Sequence, residues 1–94
     1  MVKHIVLFNV KEGEDAEKVA ATAASVLEPL VGQIPGLKHL EIRPVYQGGM
    51  DYALYSELDS REALAAYAVH PLHLAAKDQF WDMIDTRVSA DYEV

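Results

Sequence analysis

The 94-residue chain contains no cysteine. That absence excludes disulfides, thiolate nucleophiles and cysteine-ligated zinc together, and leaves any chemistry to histidine, tyrosine and carboxylates. Basic residues are scarce, eight against fifteen acidic ones for a net charge of −7. Phosphate backbones and anionic lipid surfaces are repelled by such a field, so neither nucleic acid nor a membrane is an expected partner. Long hydrophobic runs are missing too. The run Ile5 to Phe8 spans four residues behind a lysine, with no small-residue cleavage site after it. It is too short for a membrane span or a signal peptide, and cytoplasmic residence is the expectation.

What is present suits one soluble globule: about half the residues are apolar and a quarter charged. A chain this short holds a single core, so residues 1–94 are read as one domain. Small domains bury a smaller share of their surface, which favours added burial through self-association.

Val2 to Val10 is rich in β-branched and aromatic residues and reads as a strand. Val2, His4, Val6, Phe8 and Val10 alternate with Lys3, Ile5, Leu7 and Asn9, so both faces carry apolar groups and both need cover. The acidic opening Gly13 to Glu17 precedes Val19, Ala23, Val26, Leu27 and Leu30, the spacing of one helical face. Pro29 predicts a kink or an early end. Ile34-Pro35-Gly36 turns the chain into a second strand, Leu37 to Val45, with Pro44 favouring an edge or a strand end. Gln47-Gly48-Gly49 leads to a third, Asp51 to Leu58.

Asp59, three residues before Glu62, has the spacing of a helix-capping side chain, opening a short helix through Leu64 and Tyr67. His70-Pro71 interrupts that helix, and a new helical piece is expected from Pro71. There His73, Ala76, Phe80, Met83 and Ile84 fall on one stripe, which turns His73 toward the sheet. Thr86 to Tyr92 closes the chain as a fourth strand, with Val88, Ala90 and Tyr92 alternating against Arg87, Ser89 and Asp91. Strand, helix, strand, strand, broken helix, strand is the ferredoxin-like βαββαβ order of an α+β domain with a four-stranded antiparallel sheet. Helices on one face leave Ile5 and Leu7 on the other, so a homodimer through that sheet face is expected.

His4 on the first strand and His73 on its helical stripe both reach the layer between helices and sheet, and Tyr67 ends the preceding helix nearby. A neutral histidine there can accept a proton while the phenol donates to a carbonyl oxygen that gains charge, so carbonyl acid/base chemistry is the consistent class. Phe80, on the stripe of His73, is a candidate to line the same space. His70, just before Pro71, reads as a helix-start residue, and His39, beside Lys38 and Glu41, as a solvated strand residue. The His70-x-x-His73 spacing invites a metal reading, but His70 precedes the helix and no third ligand stands at a motif distance, so no metal or cofactor is expected.

The segments Met1-Val2-Lys3-His4-Ile5-Val6-Leu7-Phe8, Ile34-Pro35-Gly36, Ser60-Arg61-Glu62-Ala63-Leu64, Tyr67-Ala68-Val69-His70-Pro71-Leu72-His73 and Asp91-Tyr92 resemble the stress-responsive α/β-barrel domain family. The resemblance spans nearly the whole chain and implies a dimeric α/β barrel, in a family many of whose bacterial members have no assigned activity. One plant branch is a polyketide cyclase that closes an aromatic ring by aldol chemistry. Its tyrosine and histidine fall on Tyr67 and His73 here, and a pocket-lining first-strand histidine falls on His4. Where that cyclase has a third-strand histidine this chain has Tyr52, which makes Tyr52 a substrate-binding candidate and departs from the cyclase pattern. Two other readings stand beside a cyclase-like activity: a non-catalytic structural dimer, and a cofactor-independent monooxygenase of the wider dimeric barrel group.

Overall fold

The computed structural model describes residues 1–94. The elements are β1 (Val2–Val10), α1 (Ala16–Leu27), β2 (Leu37–Pro44), β3 (Tyr52–Leu58), α2 (Arg61–Ala68), α3 (Pro71–Asp78) and β4 (Ile84–Glu93), with single 3-10 turns at Glu28–Leu30 and Trp81–Met83. The sheet order is β2-β3-β1-β4, antiparallel throughout. This is the ferredoxin-like fold, with β1 and β3 central.

Local chemistry sets the element ends. The Asp15 carboxylate accepts from the Lys18 backbone N–H at 3.2 Å and caps α1. Pro29 cannot donate to a continuing α-helix, and the chain tightens into a 3-10 turn from Glu28. At α2 the capping reading moves by one residue: Ser60, not Asp59, accepts from the Ala63 N–H at 3.0 Å. Three strands also differ at their ends from expectation, the second stopping at Pro44 rather than Val45. The third begins at Tyr52 rather than Asp51, and the fourth takes in Ile84 and Asp85 at its start and Glu93 at its end.

The expected stripe from His73 to Ile84 is only partly helical. α3 stops at Asp78, and the Gln79 and Phe80 N–H groups make turn bonds to Ala76 and Lys77 carbonyls. Phe80 is still buried, but by a turn and not by helical phase. Ile84 starts β4, pairing with Val10 beyond a register shift.

Between the helices and one sheet face lies the core. Val6 and Phe8 of β1, Leu40 and Ile42 of β2, and Leu54 and Leu58 of β3 meet Val19, Ala23 and Leu27 of α1. Burying one such leucine stabilises by about 1.5–3 kcal/mol, so this layer holds the helices in place. Gly36 makes the turn into β2 at φ +86°, with its α-carbon hard against α2: an added Cβ would stand 2.6 Å from the Ala63 Cβ. Only glycine satisfies both constraints.

No helix covers the opposite face. Ile5 and Leu7 pair across β1 with Tyr55 and Ala53 on one side and with Ala90 and Val88 on the other. Val88 and Tyr92 stay 55% and 51% exposed. The polar groups on this face satisfy one another: Lys3 pairs with Glu57, and the Tyr55 hydroxyl donates to the same carboxylate at 2.6 Å.

Candidate functional site

Residues from every strand and every helix meet in a cavity of ≈180 Å³ between the sheet and the helices. β1 supplies His4, Val6 and Phe8; α2 supplies Leu64, Tyr67 and Ala68; α3 supplies His73 and Lys77. Phe80, Trp81, Ile84 and Arg87 close the remaining side, and most of the lining is apolar. A dry cavity of about 150 Å³ is enough to hold a benzene ring, so this space suits a one-ring ligand or a chain of similar bulk.

The break at His70-Pro71 places the central pair. His70 Nδ1 accepts from the Leu72 N–H at 3.1 Å and Pro71 takes the first helical position, which fixes where α3 begins. His73 therefore sits in the first turn of α3, its ring centroid 4.3 Å from that of Tyr67 in the last turn of α2. His73 Nδ1 lies 3.2 Å from the Ala68 carbonyl oxygen. A carbonyl can only accept, so Nδ1 carries the proton and Nε2 keeps its lone pair. Burial holds the His73 pKa below its ordinary value. The Ala68 carbonyl opposes that shift, while the charges of Lys77, His4 and Arg87 add to it.

Tyr67 is 3% exposed, and burial pushes its phenol up to about 12. Its hydroxyl makes no hydrogen bond within the protein, yet it is not among the sealed, unsatisfied polar atoms, of which there are none. Tyr67 lines the cavity, and its hydroxyl, neither paired nor sealed, keeps a donor available to a ligand oxygen.

His4 is oriented from the edge strand. Asp91 pairs with it in register across β4, and its carboxylate oxygen stands 2.5 Å from His4 Nδ1. The proton on Nδ1 again leaves Nε2 as the unengaged nitrogen.

Of the residues picked out from the sequence, His4, Tyr67, His73 and Phe80 share this cavity. Tyr52 does not line it. Its ring stacks on Phe8 at 5.8 Å, and its phenol is raised first by burial and then by the charges of Glu17, Asp15 and Asp51. It belongs to the end of the sheet near the start of α1. His39 pairs with Glu41 at 2.6 Å on β2.

Sequence reading missed Lys77, Trp81, Arg87 and the Asp91 partner of His4. Lys77 is four residues beyond His73 and so on the same helical face, a signal that was available. Strand alternation already grouped Arg87 with Asp91, but only the β1–β4 register shows that Arg87 stands opposite Phe8 and Asp91 opposite His4.

Residues 2–94 match the stress responsive A/B barrel domain. The chain belongs to that family. An uncharacterized protein from Streptomyces coelicolor, SCO4036, is 35% identical, covering 99% of both chains. The stress-response A/B barrel domain-containing protein HS1 of Arabidopsis thaliana is 30% identical over 98% of this chain and 88% of its own. A crystal structure from Bacteroides fragilis, described as a dimeric protein of unknown function with a ferredoxin-like fold, superimposes with a TM-score of 0.87 at 31% identity, covering 99% of this domain and 95% of that chain. No helix of this A/B barrel domain is long and apolar enough to cross a membrane.

Proposed function

We propose that this A/B barrel domain binds a small carbonyl compound beneath its helices and carries out acid/base chemistry on it. Tyr67 donates a hydrogen bond to the carbonyl oxygen, and His73 Nε2 takes a proton from the adjacent carbon. The C–H electron pair moves into the new carbon–carbon double bond as the oxygen gains negative charge, and the phenol's hydrogen bond strengthens with that charge. The enolate so formed can attack a second carbonyl of the same molecule, the step of an aldol ring closure, or recover a proton. His4, oriented by Asp91, positions the substrate, and Phe80 forms part of the apolar wall.

One observation carries this reading: a buried phenol without a protein partner stands against an imidazole whose free nitrogen is unprotonated near neutral pH. Burial alone does not account for the phenol, because core tyrosines usually spend their hydroxyl on a protein acceptor. The working unit in this reading is a homodimer whose copies cover each other's open sheet faces.

The test is exchange of the acetophenone methyl protons for solvent deuterium, followed by proton NMR. Exchange above the rate of a matched imidazole buffer, lost in a folded His73→Ala variant, is the expected result. An exchange rate equal to the buffer's, or one indifferent to His73→Ala, overturns the reading.

A further inference from the structure

The chain is strongly acidic, yet one wall of its cavity is cationic. Four of its eight basic side chains, Lys3, Lys38, Arg43 and Arg61, have carboxylate partners. Lys11, Lys18, Lys77 and Arg87 have none, the last two although Asp78, Asp82 and Asp85 lie close by in sequence, and of these four Lys77 and Arg87 are at the cavity. Both stand over one indole. Lys77 Nζ is 4.1 Å and Arg87 Cζ 5.7 Å from the centre of the Trp81 ring.

Two unpaired cations held at one aromatic ring repel each other, and the attraction each gains from the indole face is modest. A carboxylate between them removes that repulsion and gains charge-assisted hydrogen bonds, with the guanidinium offering a planar fork that matches it. The His73 side chain feels both charges, which puts the cationic wall within electrostatic reach of the base.

From this geometry we infer that the ligand is a carbonyl-bearing carboxylic acid, its anionic group taken up by Lys77 and Arg87 at Trp81 and its carbonyl directed to Tyr67 and His73. The inference rests on the proposed use of the cavity and narrows it to anionic substrates of about one ring in size. Lys77 and Arg87 orient the acid and set specificity; the proton transfer stays with His73 and Tyr67.

Trp81 is the only tryptophan in the chain, so its fluorescence reports occupancy directly. The experiment titrates the whole protein with 4-acetylbenzoate and, in parallel, with its neutral amide, 4-acetylbenzamide. The acid is expected to bind about tenfold more tightly or better, the size of a charge-assisted hydrogen bond. That preference should shrink as salt brings the screening length below about 8 Å. In a folded K77Q/R87Q variant the acid-to-amide ratio should fall toward one, with K77Q and R87Q each removing part of it. The salt dependence of the unaltered protein keeps the test independent of how the double variant folds. Equal binding of acid and amide, or a ratio intact in the folded double variant, overturns the anion inference while leaving the cavity in use. Failure of both compounds to bind overturns the inference together with the function on which it rests.

Discussion

Removing the Tyr67 hydroxyl separates a structural tyrosine from a working one. Tyr67 is 3% exposed, and its hydroxyl has no partner in the protein. Tyr67→Phe keeps the ring that packs on His73 at 4.3 Å and deletes only that oxygen. A paired buried hydroxyl contributes about 0.5–1.5 kcal/mol, and breaking the pair strands its acceptor at a cost of about 1–3 kcal/mol. Here no acceptor is stranded, so urea unfolding followed by Trp81 fluorescence should show stability unchanged within about 0.5 kcal/mol, or slightly raised. Carbonyl binding should weaken about 2- to 12-fold, the worth of one neutral hydrogen bond. Deuterium exchange should slow by about 10²–10³-fold, the usual effect of losing a donor to a developing oxyanion. Destabilisation by more than about 2 kcal/mol with exchange unchanged would refute the reasoning, because the hydroxyl would then be serving the fold.

Other perturbations follow from the same geometry. His73 is held below its ordinary value, chiefly by burial. The acid limb of the exchange rate against pH should therefore fall below about 6.5, checked by NMR titration of the His73 ring. The folded value lies below the unfolded one, so the associated stability is present above pH about 6.5 and is lost as the pH falls through the folded value. With its phenol near 12, Tyr67 should add no alkaline limb well below that pH. Gly36→Ala combines a left-handed φ with a 2.6 Å approach to Ala63. It should cost about 2–5 kcal/mol, measured by chemical denaturation, and a cost under 1 kcal/mol would contradict the packing described at that turn. Leu7→Lys sets a charge on the uncovered face opposite Ala53 and Val88. Light scattering should find twice the chain mass for the parent and the single mass for the variant, whereas a monomeric parent would refute the sheet-face pairing.

Much of the fold could be read from the chain because its signals are local. Alternation in β1, the acidic start of α1 and the proline at Pro71 each act within a few residues. The errors arose where tertiary contacts outweigh such signals. Nothing in Gln79 or Phe80 breaks a helix by itself, yet α3 ends at Asp78, and Phe80 reaches the cavity from a turn. Tyr52 was placed in the site by analogy with a histidine, but its ring stacks on Phe8 outside the cavity. Helical spacing and the His70-Pro71 break brought His73 beside Tyr67 without any knowledge of pairing. The partner of His4 and the Arg87 half of the cationic wall depend on the β1–β4 register, which no single segment encodes.

The central claim is that the free phenol of Tyr67 polarises a ligand carbonyl beside His73. The most direct measurement is the 13C chemical shift of acetophenone labelled at the carbonyl carbon, titrated with the protein. A saturable downfield shift that disappears in Tyr67→Phe is the predicted result. A shift identical in the two proteins, or none at saturating protein, would contradict it.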